Sequence, residues 1–165
     1  MSYELEMTKR TPRVVFVSGL SNGGKTTLIE LLIPRLRQRG LRVGTIKHAH
    51  EGYEVDHPGK DSWRHTQAGA TAVTLISPKQ VTSFVGTSQE MQLTQVIEQM
   101  APHVDLILAE GFKQAAVRKI LIGSSASYRL RIDDRNCRVG IFPKGLSPLE
   151  IDQIVQFCRG ENGNT

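Results

Sequence analysis

The sequence contains few aromatic residues, few cysteines and no long hydrophobic run. One of its 165 residues is Trp, so we expect a core built mainly from Val, Ile and Leu. The two cysteines, Cys137 and Cys158, form no Cys-x-x-Cys motif, which is typical of reduced thiols in a cytoplasmic protein. No apolar run approaches the ~20 residues of a membrane-spanning helix, and residues 1–10 lack the apolar segment of a signal peptide. We therefore expect a cytoplasmic protein without a membrane anchor.

Positive charge is in excess but is not clustered. Lysine and arginine exceed aspartate and glutamate by 21 − 16 = 5, and no five positively charged residues occur in succession. A nucleic-acid-binding surface needs such a cluster, so the charge favours a small polyanionic ligand such as a nucleoside triphosphate. We therefore expect no nucleic-acid partner.

The first half of the chain opens with a strand, a turn, a helix and a second strand. The continuous β-branched and aromatic run of residues 14–17 predicts a strand buried on both faces. Apolar residues over 27–36 recur at helical spacing, Gly40 suits the end of that helix, and Pro34 is expected to kink it. A strand over 41–46 completes a βαβ unit, which predicts a parallel sheet.

The glycine-rich turn between this strand and this helix matches the pattern G-x-x-x-x-G-K-[ST] without a mismatch. Its glycines let backbone N–H groups converge on an anion, and the following helix points its positive end at the same place. Lys25 adds a charge near the β- and γ-phosphates, and the Thr26 hydroxyl can bind Mg²⁺. Because the strand and the helix flank the pattern, it predicts a P-loop. The candidate nucleotide-binding residues are Gly19, Leu20, Ser21, Asn22, Gly23, Gly24, Lys25, Thr26 and Thr27.

The remaining elements complete an α/β protein. We predict a three-layer P-loop NTPase fold with a mostly parallel sheet, helices on both faces and a short antiparallel extension. We expect a single nucleotide-binding domain over residues 11–160, between a flexible N-terminus (1–10) and a flexible tail (161–165). The predicted elements are a short helix over 61–67 capped by Asp61 or Ser62 and ended by Gly69, a hairpin over 72–76 and 81–85, an amphipathic helix over 88–100, a buried strand over 104–109, strands over 121–122 and 139–142, and a closing helix over 148–157.

A P-loop enzyme also needs an acid to hold its magnesium ion, and the strand over 104–109 offers two. Asp105 opens this strand and Glu110 closes it, about 16 Å apart at ~3.3 Å per residue. Ligands bind beyond the carboxyl ends of parallel strands, so Glu110 is predicted to face the nucleotide and Asp105 the far end. The plain alternative is that Glu110 is a solvated carboxylate at a strand end.

The polar loop after the second strand holds further candidates. Asp56 or Asp61 is expected to position magnesium or water, and Lys47 or Lys60 to meet anionic groups. A zinc site formed by His48, His50 and His57 is an alternative, although His-x-His without a nearby cysteine is a weak pattern. A solvated polar loop is the other alternative.

Taken together in chain order, these motifs resemble the molybdopterin-guanine dinucleotide biosynthesis protein B (MobB) family. The resemblance runs from about Val14 to Phe157; its P-loop is generic, whereas Pro-Gly-Lys-Asp-Ser followed by Glu-Gly-Phe-Lys is quite specific. The matching segments are the P-loop, Ile46-Lys47-His48-Ala49-His50, Asp56-x-Pro58-Gly59-Lys60-Asp61-Ser62, Ala68-Gly69-Ala70, and Asp105-Leu106-Ile107-Leu108-x-Glu110-Gly111-Phe112-Lys113.

The resemblance implies a small, homodimeric GTP-binding protein with weak GTPase activity. Such proteins assist the nucleotidyltransferase, protein A of the same pathway, that joins GMP to molybdopterin. By position, the P-loop would bind the phosphates and Glu110 would be the Walker B acid. Residues 141–145 depart from the family pattern, so no base contacts carry over. The [NT]-K-x-D signature that reads guanine in many GTPases is also absent, so GTP follows from the resemblance alone.

Two other function classes stay open at this point. A small-molecule P-loop kinase has this size and plan, and Arg129, Arg131 and Arg135 could form its lid. These arginines interleave with Leu130 and Ile132 at period two, which more simply indicates a half-exposed strand. A nucleic-acid-binding ATPase is favoured only by net charge, since the sequence lacks a ladder of stacking aromatic residues.

Overall fold

The fold was analysed in a computed structural model, which describes residues 11–49, 52–53, 56–112, 118–123, 130–132, 136–139 and 145–161. These residues fall into two compact units, one drawn from Met1–His48 and Ile97–Thr165 and one from Ala49–Val96. The predicted single domain over 11–160 stays a prediction. Several predicted features lie outside the described residues: the two flexible ends except Glu161, His50, Lys113, Arg129, Arg135 and the unusual stretch 141–144.

The described residues form eight strands and four helices. None of the helices in the described ranges has both the length and the apolar character that a membrane crossing requires. In chain order the elements are β1 (Arg13–Gly19), α1 (Lys25–Gln38), β2 (Val43–Lys47), α2 (Asp61–Gln67), β3 (Ala72–Ser77), β4 (Gln80–Val85), α3 (Leu93–Met100), β5 (Leu106–Glu110), β6 (Lys119–Ile122), β7 (Leu130–Ile132), β8 (Asn136–Val139) and α4 (Pro148–Arg159).

The first unit contains a six-stranded sheet in the order β2-β5-β1-β6-β8-β7. Only the β7–β8 pairing is antiparallel, so the predicted mostly parallel sheet is confirmed. The central strands β1 and β5 are buried on both faces, which explains why their sequences are continuous apolar runs rather than alternating ones. β5 lies between β1 and β2, although it follows them by more than fifty residues in the chain.

Helices α1 and α4 share one core with this sheet. α1 buries Leu28, Leu32 and Leu36 completely, and the helix continues through Pro34 without interruption. It ends where predicted, because Gly40 adopts a φ of 81° just beyond its last turn. α4 begins with a capping box between Ser147 and Glu150.

The second unit consists of α2, the β3–β4 hairpin and the start of α3. The hairpin is antiparallel as predicted, and Ala72 pairs with Val85 at its open end. Two local predictions were wrong. The N-cap of α2 is Lys60, with extended backbone and no side-chain cap, and not Asp61 or Ser62.

The start of α3 was also predicted wrongly, because this helix begins at Leu93 and not near Ser88. The Gln95 side chain accepts a hydrogen bond from the Gln92 backbone N–H, at 3.0 Å. This bond satisfies one of the donors that a helix start leaves unpaired, and it fixes the start at that point.

Candidate nucleotide-binding site

The predicted P-loop joins the end of β1 to the start of α1. Gly19 has a φ of 152°, and a Cβ on it would lie 2.5 Å from the carbonyl oxygen of Ile122 on β6. Only glycine fits this approach of two backbones. Asn22 and Gly24 have φ values of 58° and 90°, so the loop turns through the left-handed region twice before the helix begins. The sequence pattern therefore encodes a specific backbone path.

The first turn of α1 offers free backbone donors. Its N-cap is Gly24, which has no side chain to cap the helix, and the first turn contains no acidic residue. The N–H groups of the first turn are not used by the helix ladder, which begins with the bond from Leu28 N–H to the Gly24 carbonyl. Unpaired donors and the positive end of the helix dipole together suit an anion.

Lys25 brings a full positive charge to this loop. Its Nζ donates to the carbonyl oxygen of Leu20 at 2.7 Å and lies 3.5 Å from that of Gly19. The loop is closed by a bond from the Gly23 N–H to the same Leu20 carbonyl. Thr26, the next residue, is exposed. A triphosphate with Mg²⁺ fits this set of groups: donors, a cation and an accessible hydroxyl.

Glu110 lies at the same edge of the sheet as the P-loop. β5 runs parallel to β1, with Glu110 opposite Val17, and parallel to β2, with Glu110 opposite Lys47. The Glu110 side chain is half-buried and Lys47 is exposed. The structure thus places both predicted side chains on neighbouring strand ends beside the P-loop edge.

Asp105 lies at the opposite edge, as the sequence predicted. Its two carboxylate oxygens accept hydrogen bonds from Arg42 Nη2 at 2.8 Å and Nε at 3.1 Å. This carboxylate raises the pKa of the Arg42 guanidinium, first through the hydrogen bonds and then through its charge. Asp105 therefore joins β5 to the start of β2 at the edge away from the P-loop.

Asp56, Lys60 and Asp61 belong to the second unit and differ from one another in their surroundings. Oδ1 of Asp56 accepts the His57 N–H at 2.9 Å, whereas Oδ2 is buried and has no hydrogen-bond partner among the residues that the structure describes. The Asp61 side chain is 89% exposed and lies 3.9 Å from Arg64 Nη1. Lys60 is exposed. The structure brings these residues together within their own unit, and their roles stay predictions.

The family model described as molybdopterin guanine dinucleotide synthesis protein B matches residues 14–138. The chain belongs to this family. The chain is 42% identical over 107 residues to the molybdopterin-guanine dinucleotide biosynthesis adapter protein of Haemophilus influenzae, and 41% identical over 105 residues to that of Escherichia coli K12. These matches cover 64% and 62% of this chain, and they span about 60% of the length of each relative.

The fold of this MobB-family chain is also found in a solved structure. It matches the crystal structure of a molybdopterin-guanine biosynthesis protein B with a TM-score of 0.63 and 26% identity, over 87% of this chain and 95% of that one. The predicted P-loop NTPase fold and the predicted family are therefore both confirmed.

The described ranges of this MobB-family chain give little support to the zinc site or to the arginine lid of a kinase. No group of three His, Cys, Asp or Glu side chains there could hold a metal ion, and His50 lies outside those ranges. Arg131 is exposed on β7, while the other two candidate lid arginines are not described. Cys137 and Cys158 are both fully buried.

The sequence interpretation missed Ser18. This residue is 4% exposed, and its hydroxyl donates to the Gly111 carbonyl at 2.7 Å, so it ties the end of β1 to the turn after Glu110. The signal was present, since Ser18 is a single polar residue in a run that is otherwise apolar. A buried hydroxyl must find a partner, but the sequence does not say which.

Proposed function

We propose that this chain is the GTP-binding accessory protein of molybdopterin-guanine dinucleotide biosynthesis and that it has weak GTPase activity. The names of its relatives support the pathway, since both are called adapter proteins for the biosynthesis of this dinucleotide. One structural observation carries the nucleotide part: an uncapped helix N-terminus and the Lys25 ammonium lie at the sheet edge where β5 ends in Glu110.

The described residues have distinct roles in this proposal. The N–H groups of the P-loop and of the first turn of α1 bind the phosphates, and Lys25 compensates charge on the β- and γ-phosphate oxygens. Thr26 and Glu110 would hold Mg²⁺, directly or through water. When bound, this ion supplies further compensation of phosphate charge. Lys47 supplies a second positive charge beside Glu110.

Hydrolysis requires an oriented water molecule. The water oxygen bonds to the γ-phosphorus while the bond to the bridging oxygen breaks, so that GDP and phosphate leave and one proton is released. We propose Asp56 and Asp61 as candidates to orient this water and Lys60 as a further phosphate contact. Among these, the buried and unpaired Oδ2 of Asp56 favours Asp56, since Asp61 is solvated.

The proposed partners follow from the family and the pathway. They are the molybdopterin guanylyltransferase, molybdopterin itself and a second copy of this chain. The hairpin supports the homodimer, because Ile76, Val81 and Val85 are 80%, 65% and 61% exposed on a two-stranded sheet. Sedimentation of the purified chain tests this part, and a monomer at micromolar concentration contradicts it.

Product analysis with γ-labelled GTP tests the proposed function. The chain is incubated with Mg²⁺ and labelled GTP, with and without molybdopterin, and a Lys25→Ala variant serves as the control. We expect slow release of free phosphate that depends on Lys25. Label on molybdopterin would instead indicate a kinase. Competition of unlabelled ATP and GTP for the site tests the base preference, and equal affinity would refute the GTP assignment.

A further inference from the structure

The turn after Glu110 has an unusual backbone. Gly111 and Phe112 have φ values of 108° and 35°, both in the left-handed region. Phe112 is one of two non-glycine residues with positive φ in the described ranges, and the other is Asn22 in the P-loop. Asparagine tolerates this region, whereas a bulky aromatic residue rarely adopts it. Such strain persists only where surrounding contacts fix the conformation.

The Phe112 ring contacts two other rings, one on β1 and one just after β2, the two strands that flank β5. Phe16 on β1 meets it edge to face, with centroids 5.6 Å apart and an angle of 81°. His48, the first residue after β2, stacks on it with centroids 4.9 Å apart and an angle of 20°. Phe16 is 4% exposed and therefore cannot give way easily. The ring, which follows the end of β5, thus contacts the middle of β1 and the residue after β2.

The backbone around Glu110 is fixed at the same place. The His48 N–H donates to the Glu110 carbonyl and the Gly111 N–H to the Val17 carbonyl, both at 3.1 Å. The Ser18 hydroxyl holds the Gly111 carbonyl. A Cβ on Gly111 would lie 3.2 Å from the His48 Cβ, so the two segments are in close contact. The peptide groups on the carboxyl side of Glu110 are therefore held from both neighbouring strands.

We propose that Phe112 and His48 are positioning residues for Glu110. Their stacked rings hold the strained turn, and the turn fixes the direction in which the Glu110 carboxylate leaves the sheet toward the magnesium ion. This inference rests on the proposed function, because it assumes that Glu110 acts on magnesium. Without the ring pair, the turn relaxes toward negative φ and the carboxylate loses its fixed direction.

The magnesium dependence of GTP binding tests this proposal by calorimetry. We expect His48→Ala and Phe112→Ala, which keep the Cβ but remove the ring, to raise the magnesium concentration needed for half-maximal enhancement of GTP binding by about tenfold. GTP affinity in EDTA should stay within about twofold, because the P-loop is untouched. His48→Phe and Phe112→Tyr keep a stacked pair and should restore the original magnesium dependence. If folded His48→Ala needs no more magnesium than the parent chain, the proposal is wrong, whether or not Phe112→Ala folds.

A double-mutant cycle separates this inference from the proposed function. Glu110→Gln is measured alone and together with His48→Ala. If Glu110→Gln weakens the magnesium effect and His48→Ala adds nothing to it, the two residues act as one unit. If both single variants weaken it and their effects add, His48 acts elsewhere and only the positioning role fails. If Glu110→Gln leaves the magnesium effect unchanged, the proposed role of Glu110 fails and the positioning role with it.

Discussion

Glu110 lies opposite Val17 in the parallel pairing of β5 with β1, two residues before the P-loop begins at Gly19. This register places a half-buried carboxylate at the end of the strand next to the one that leads into the P-loop. Asp105 immediately precedes β5, and its carboxylate is bound to Arg42 at the opposite edge. The two ends of β5 therefore have acids with different surroundings, and the predictions below use that difference.

Replacing Lys25 by alanine should remove tight GTP binding. The change removes the positive charge that lies over the P-loop carbonyls, and a charge-assisted contact of this kind contributes about 1.5–3 kcal/mol. We expect an affinity loss of about 100-fold by calorimetry. Lys79→Ala, in the exposed turn of the hairpin, changes the net charge equally and should leave the affinity unchanged. If both variants lowered the GTP affinity equally, the loss would come from the long-range effect of net charge and not from a contact in the P-loop.

The isosteric pair Glu110→Gln and Asp105→Asn tests the direction of β5. Glu110→Gln should keep GTP binding in EDTA but lose most of the magnesium effect and lower turnover about tenfold or more. Asp105→Asn should leave the magnesium effect intact and lower only the free energy of unfolding, because it weakens the contact with Arg42. Magnesium titration and urea unfolding separate the two outcomes. If instead Asp105→Asn lost the magnesium effect and Glu110→Gln kept it, the nucleotide and the P-loop would lie at different edges of the sheet.

Asp56 and Asp61 should differ in function. Asp56→Asn should slow GTP hydrolysis about tenfold or more, since a water-orienting carboxylate is lost. It should not lower the free energy of unfolding, because a buried oxygen without a partner contributes no stabilising hydrogen bond. Asp61→Asn changes a solvated carboxylate and should affect neither quantity strongly. Phosphate release and urea unfolding of both variants check this, and slower hydrolysis in Asp61→Asn alone would exchange the two roles.

Gly19→Ala should destabilise the fold and remove nucleotide binding. The added Cβ meets the Ile122 carbonyl at a residue whose backbone already has a φ of 152°, and such strain costs about 1–3 kcal/mol. Gly145→Ala is the matched control, since no atom lies within 4 Å of a Cβ there. Thermal unfolding of both variants measures the difference. An unchanged melting temperature for Gly19→Ala would contradict the close approach of β1 and β6.

Cys158 should make stability fall at alkaline pH. Burial raises the pKa of its thiol to about 12, whereas an unfolded cysteine titrates near ~8.5. The contribution of this thiol to the free energy of unfolding is therefore complete below about pH 8.5. It is lost as the pH rises toward 12, by up to about 1.4 kcal/mol per pH unit. Urea unfolding at pH 7, 9 and 10 measures this, with Cys158→Ala as the reference without the thiol. A constant difference between the two proteins across these pH values would contradict it.

Much of the site could be predicted from the sequence because it depends on local physics. A buried strand, a glycine-rich turn and an amphipathic helix are encoded by consecutive residues, and the P-loop pattern joins them. The position of Glu110 at the same edge as the P-loop also followed, since parallel strands end at one edge. The cap of α2 and the start of α3 did not follow, because competing local hydrogen bonds decide helix starts within a few residues.

Only the tertiary structure decided which segments meet. The position of β5 between β1 and β2 brings Phe16, His48 and Phe112 together, although these residues lie far apart in the chain. The bond from Ser18 to Gly111 depends on the same long-range packing. Sequence periodicity reports which face of an element is buried, but not what covers it. The sequence by itself thus determined the glycine-rich P-loop and its strand, and the packing of distant strands decided which residues surround the turn after Glu110.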